Sequence, residues 1–230
     1  MSTFVLAHGG GHRAWHWHLL RPLLEARGHV TLAPEIPMDD ARATSADWAS
    51  SLVGDMDSIA ELEDVILVGH SLAGLALPLV AANSPIARMV FLCANVPVPG
   101  MAYADYLDEN PDAVTVPPLI VHDDGRVSVS WETAREVYYP DCEESVAREA
   151  FAHLVPSAAL LANRQPCRLQ AWPAAPSSYI LCEEDRVIGP GWSRRVSVDR
   201  LATTALELPG GHSPFLSRPE HLAELLSALA

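Results

Sequence analysis

The residue best suited to covalent chemistry is Ser71, in the run Gly69-His70-Ser71-Leu72-Ala73-Gly74. Just before it stands the apolar, β-branched Val65-Ile66-Leu67-Val68, and after it an apolar helical pattern from Leu72 to Ala82. A strand that turns through G-x-S-x-G into a helix holds its serine on a strained turn, with the hydroxyl exposed at the end of a sheet. The helix start behind the serine brings a positive end and free N–H groups toward developing negative charge. Ala73 stands where the last glycine of the pattern belongs and Gly74 follows it, a departure small enough to keep the turn. A serine hydroxyl is a poor nucleophile until a base takes its proton, so a histidine and an acid are required as well.

Of ten histidines, His212 has the right setting. It follows the apolar Ala205-Leu206-Glu207-Leu208 through Pro209-Gly210-Gly211 and precedes Ser213-Pro214 and a last helix, which puts it on a loop at a strand end. His221 lies inside that helix, and His29, His122 and His153 have no catalytic context. The acid should orient the imidazole and stabilise its protonated form. Glu183, Glu184 and Asp185 all follow the strand run Tyr179-Ile180-Leu181-Cys182; Asp185 is best placed on the turn and Glu184 is the reserve. The order serine, acid, histidine is the one that accompanies a strand–elbow–helix serine. The other strand end where an acid could stand offers Asn95 and no nearby carboxylate.

Acyl transfer through serine also needs two N–H donors aimed at the oxyanion. Leu72, directly after the serine, is one candidate, and Gly10 in the loop His8-Gly9-Gly10-Gly11-His12 is the other. His8, His12 and His16 recur every four residues, but the glycines between them break any single helix and no cluster of carboxylates accompanies them. Neither a metal nor another cofactor is expected.

The elements that must position these groups alternate. Strand runs are expected at 4–7, 30–33, 65–68, 89–92, 179–182 and 205–208, and helices at 14–27, at 45 to about 62 with Ser45 as N-cap, at 72–82 and from about 219 to 229. Runs without polar alternation belong to strands buried on both faces, so the fold class is α/β: an open, mainly parallel sheet of about six strands with helices on both sides. The stretch from about Pro97 to Pro173 breaks this rhythm, with many prolines and helical patches at 131–137 and 144–153. Beginning beyond a strand's C-terminal end, it reads as a lid over the ligand crevice within a single domain of 1–230. His12, Trp131, Tyr103 and Tyr138, with Tyr106 and Tyr139, are candidates to line the pocket.

Composition narrows the partners. With 230 residues, 49% hydrophobic and 19% charged, the chain can build one full core. A net charge of −14 argues against nucleic acid and against anionic membranes. Met1-Ser2-Thr3 runs straight into the first strand without a basic, apolar leader, and no apolar stretch is long enough to span a bilayer. Cys93, Cys142, Cys167 and Cys182 are scattered as free thiols would be, so a cytoplasmic protein is expected. Monomer and homodimer are equally compatible with the sequence.

Phe4-Val5-Leu6-Ala7-His8-Gly9 with Trp15, the run Leu23-Leu24-Glu25-Ala26-Arg27-Gly28-His29, the strand and elbow from Val65 to Leu72, and the Gly210-Gly211-His212 loop together resemble the α/β-hydrolase fold group of plant methylesterases and hydroxynitrile lyases. The resemblance covers both halves of the core and is loose in the insert, around Tyr139-Pro140-Asp141-Cys142. It implies a Ser71–His212–Asp185 triad. Lyases of that group carry a lysine after the histidine and a threonine after the first loop's histidine; here Ser213 and Gly9 stand there, which favours the esterase branch. The expected activity is hydrolysis of a small, largely apolar carboxylic ester or lactone. The alternatives are a non-hydrolytic biosynthetic step (lactonisation, cyclisation or decarboxylation) and a small-ligand receptor.

Overall fold

The computed structural model describes residues 1–59 and 62–230. Its main sheet contains β1 (Thr3–Ala7), β2 (Val30–Leu32), β3 (Val65–His70), β4 (Arg88–Leu92), β7 (Ser177–Cys182) and β8 (Leu206–Leu208), in the order β2-β1-β3-β4-β7-β8. All five pairings are parallel, and Val5 sits opposite Leu67. A separate antiparallel pair, β5 (Ile120–Val121) and β6 (Val127–Ser128), lies within the segment joining β4 to β7.

Alternate strand residues serve two cores, as strand geometry requires. Val5, Val65 and Leu67 pack with α2 (Ser45–Asp57), α3 (Leu77–Ala81) and α8 (Pro190–Asp199) on one face. Phe4, Leu6, Ile66 and Val68 pack on the other face with α1 (Leu20–Glu25), α9 (Pro214–Ser217) and α10 (Pro219–Ser227). Between β4 and β7 come α4 (Tyr103–Glu109), α5 (Trp131–Val137), α6 (Glu144–Ala152) and α7 (Ala159–Ala162). The strand order reverses between β1 and β3, and in open parallel sheets such a reversal opens a crevice beyond the strands' C-terminal ends.

Several helices differ from expectation. The helix expected at 14–27 is a 3₁₀ turn, Ala14–Trp17, followed by α1. Pro22 has no N–H to give to His18, but it fits the first turn of a helix that starts at Leu20, where N–H groups go unpaired. Proline acts similarly after the elbow: Ser71–Leu75 is 3₁₀ and α3 restarts with Pro78 in its first turn. The helix α2 is capped by Thr44 rather than Ser45, in a reciprocal pair with Asp47: Thr44 N–H and Oγ lie 2.8 and 2.7 Å from Asp47 Oδ2. It ends at Asp57, short of the expected end near 62, and Ile59 beyond it is exposed. The part of that expected helix at Ala60 and Glu61 lies outside the described residues.

Candidate active site

Ser71 directly follows β3 with φ 54°, a left-handed conformation that an L side chain enters only under constraint. The constraint is visible on both sides. Asn95 N–H, from the loop after β4, donates to Ser71 O at 3.0 Å. A side chain at Gly74 would collide with the Asn95 carbonyl, so close approach of the two loops requires glycine there. The needed small residue is thus Gly74, one step beyond the G-x-S-x-G pattern, which is why Ala73 in the pattern's last position is tolerated.

The acid and the histidine meet. His212 Nδ1–H donates to the Asp185 carboxylate at 2.9 and 3.1 Å, and both side chains are buried. Asp185 Oδ1 also accepts the N–H groups of Val187 (2.8 Å) and Ile188 (3.0 Å), which fixes the orientation of the carboxylate. This tautomer leaves His212 Nε2 as an acceptor, and His212 and Ser71 line one cavity of about 440 Å³. Among the described residues no hydrogen bond yet joins Ser71 Oγ to His212, a contact that commonly tightens only with substrate. The reserve acid Glu184 is exposed and contributes only its N–H, to Gly210 O at 2.9 Å.

The first loop lies against the elbow. A side chain at Gly9 would come within 2.9 Å of both Ser71 Cβ and His70 Nδ1, and one at Gly10 within 2.8 Å of the Leu72 side chain. Gly10 lines the cavity beside Leu72, and neither N–H has a protein acceptor among the described residues. His8, His12 and His16 are each occupied in the scaffold. His8 Nε2 accepts Ile36 N–H and His16 Nδ1 accepts Arg13 N–H, each at 3.0 Å. His12 Nδ1–H donates to Gly10 O (3.1 Å), and Tyr139 O–H donates to His12 Nε2 (3.3 Å). Burial pushes His12 well below the ordinary histidine range, so it lines the cavity as a neutral ring.

Of the aromatics expected at the pocket, Tyr138 lines it, with its ring centroid 6.0 Å from that of His212. Trp131 does not. It packs on Phe151 and under the Arg148 guanidinium, 4.5 Å from its ring centroid. Tyr103 is also away from the cavity, stacked on Tyr106 in the core around α4. Both have the usual fate of aromatics, packing within their own segment.

Two positioning residues escaped the sequence reading. His70 Nε2–H donates to the His212 carbonyl at 2.9 Å, and burial holds this ring neutral. Asp141, from the insert, accepts Gly211 N–H at 3.2 Å, and Arg218 Nε stands 3.5 Å from its other oxygen. Side chains at Gly210 and Gly211 would strike Asp141 and Pro140, so the histidine loop is glycine-rich where the insert lies on it. The only signal for Asp141 was its place in the Tyr139–Cys142 run.

A model of the alpha/beta hydrolase family matches residues 4–225. The chain belongs to that family. Norfluorocurarine synthase 1 of Strychnos nux-vomica is 27% identical over 99% of this chain and 94% of its own length. Methylesterase 2 of Arabidopsis thaliana is 26% identical over 99% and 95%. The crystal structure of polyneuridine aldehyde esterase superposes with a TM-score of 0.80 at 23% identity, covering 100% of this chain and 99% of that one. The expected α/β-hydrolase fold and the resemblance to plant methylesterases both stand.

Proposed function

We propose that this family member hydrolyses a small carboxylic ester or lactone through an acyl-enzyme on Ser71. The observation that carries the reading is the buried Asp185–His212 pair opening onto the cavity that holds the left-handed Ser71. Ser71 Oγ attacks the carbonyl carbon as His212 Nε2 takes its proton. Asp185 stabilises the resulting imidazolium and keeps its orientation. The N–H groups of Gly10 and Leu72 donate hydrogen bonds to the oxyanion and stabilise its charge. His212 then returns the proton to the leaving alkoxide. In the second half it deprotonates a water that attacks the acyl carbonyl, and its proton goes back to Ser71 as the acid departs.

The cavity wall is largely apolar, with Leu107, Val114, Val129, Phe151 and Leu160 contributed by the insert, which supports a lid role for that segment. Ser213 and Gly9, where lyases of the resembling group place lysine and threonine, favour hydrolysis over cyanohydrin cleavage. The synthase among the relatives favours, as a second reading, a non-hydrolytic step on the same serine site.

A panel of nitrophenyl esters of varied acyl length tests the proposal. The wild type should turn over at least one ester, and Ser71→Ala should lose about three orders of magnitude or more, since triad members act as a unit. Retained activity in Ser71→Ala, or a fluorophosphonate probe that labels a different serine, would overturn the assignment.

A further inference from the structure

The polar side chains around the cavity separate into those the protein uses and those it leaves free. Ser157 O–H donates to Met38 O (3.2 Å) and its oxygen accepts Ala159 N–H (3.1 Å). Ser128 is paired with His122 at 2.9 Å, and both nitrogens of His12 are occupied. Ser71 and His212 carry the proposed chemistry, and Tyr138 lies against His212. Two carboxamides remain, Asn95 and Asn163, which are 2% and 6% exposed and line the same cavity. The Oδ1 atom of each is buried without a partner, and no hydrogen bond from either side chain exists among the described residues.

Two idle amides in a mostly apolar wall are costly to a fold unless something else completes them, because buried polar groups are almost always paired. Their position narrows what that is. Asn95 stands in the loop after β4 that braces the elbow, with its own N–H on Ser71 O. Asn163 comes from the end of α7 in the insert, where its carbonyl accepts Ala104 N–H at 2.9 Å. One amide therefore belongs to the catalytic side and the other to the insert side. A carboxamide offers a donor and an acceptor together, and the smallest group that answers both is a hydroxyl.

We propose that Asn95 and Asn163 form a polar subsite selecting an ester whose acyl portion carries a hydroxyl beyond the scissile carbonyl. This rests on the cavity beside Ser71 being the substrate site. The apolar wall then holds the carbon skeleton while the amides read the hydroxyl. A methyl in that place would leave both amides unpaired, which is how a site built for hydrogen bonding rejects an apolar isostere.

Matched esters provide the test, with binding measured by calorimetry on Ser71→Ala so that turnover does not intervene. The pairs are methyl 3-hydroxybutanoate against methyl 3-methylbutanoate, methyl 5-hydroxyhexanoate against methyl 5-methylhexanoate, and methyl (4-hydroxyphenyl)acetate against methyl (4-methylphenyl)acetate. In at least one pair the hydroxylated ester should bind about tenfold tighter or better, as one well-made hydrogen bond allows. Asn95→Leu and Asn163→Leu, each added to Ser71→Ala, should erase that preference without weakening the methyl ester. Circular dichroism shows that each variant is folded, and Asn163→Leu serves if Asn95→Leu is not. The proposal is overturned if no pair shows the preference or if it survives the leucine substitutions. Wild-type hydrolysis of the same esters is read separately. Preference without turnover would remove the hydrolase reading and keep the subsite, and turnover without preference would do the reverse.

Discussion

The strand-end loops and the insert line one cavity but are held in different ways. Around the loops nearly every turn is tied by main chain: Asp185 by two N–H groups, Ser71 O by Asn95 N–H, and the His212 carbonyl by the His70 ring. The insert has helices of four to nine residues and a two-residue hairpin, joined by proline-containing turns. It meets the loops through main-chain bonds, Val155 N–H to Gly11 O (2.9 Å), Thr115 N–H to Val187 O (2.8 Å) and Gly189 N–H to Ala113 O (3.0 Å), and through side-chain joints, Asp141 on Gly211 N–H and His16 Nε2–H on Ala150 O at 3.1 Å. The strand-end loops thus brace one another from the sheet, while the short elements of the insert take their support from those loops. Substitutions at the strand ends should act on the chemical step, while substitutions in the insert should act on which substrate fits and on how firmly the cavity closes.

The largest effect that would break this division lies at Asp185. Replacement by Asn should lower kcat about a thousandfold or more by favouring the wrong imidazole tautomer, while Glu184→Gln stays within about twofold. Equal losses from the two variants, measured as kcat on the best ester, would mean that the acid is not unique.

Acid should loosen the joint between the regions. Burial, the leading cause, lowers His16 to a pKa of about 4, against about 6.5 when unfolded. Its neutral form therefore contributes full stability above pH 6.5, and that stability is lost as pH falls toward 4 because the unfolded chain takes the proton first. Between pH 7.5 and 5 the loss amounts to about 2 kcal/mol, to be read from denaturant melts. A His16→Gln variant should show a shallower slope; an unchanged slope would place the acid sensitivity elsewhere.

A smaller change should follow from removing the Asp141 joint. Asp141→Ala leaves Gly211 N–H without its acceptor and should cut kcat about tenfold while Asp185–His212 stays paired. A loss as large as that of Asp185→Asn would mean that the insert supports the chemistry directly. The smallest effect belongs to Trp131→Ala, which should keep kcat/KM within about twofold, because the ring packs on Phe151 and Arg148 away from the cavity. A large drop in kcat/KM with the fold intact would return Trp131 to the pocket.

Legibility in the sequence followed the same division. The six strands and the loops bearing Ser71, Asp185 and His212 could all be read, because each strand writes a continuous apolar run and each loop begins where that run stops. The expected burial on both faces holds for the four inner strands, while the edge strands β2 and β8 are partly exposed because each has a neighbour on one side only. The α5 and α6 spans within the insert could be read as well, from short-range periodicity. Helix ends were less legible, because Pro22 and Pro78 each restart a helix from within an unbroken apolar pattern.

The amino-acid sequence by itself determined the sheet and which residue types stand at its strand ends. Local patterns suffice there, since backbone periodicity and turn chemistry act over a few neighbouring residues. Only the tertiary structure decided that Asp185 rather than Glu184 faces His212, that Tyr138 but not Trp131 or Tyr103 reaches the cavity, and that Asn95 and Asn163 share its wall. Those outcomes depend on contacts between segments far apart in the chain, such as Asp141 on Gly211 and Ala150 on His16, which no local periodicity records.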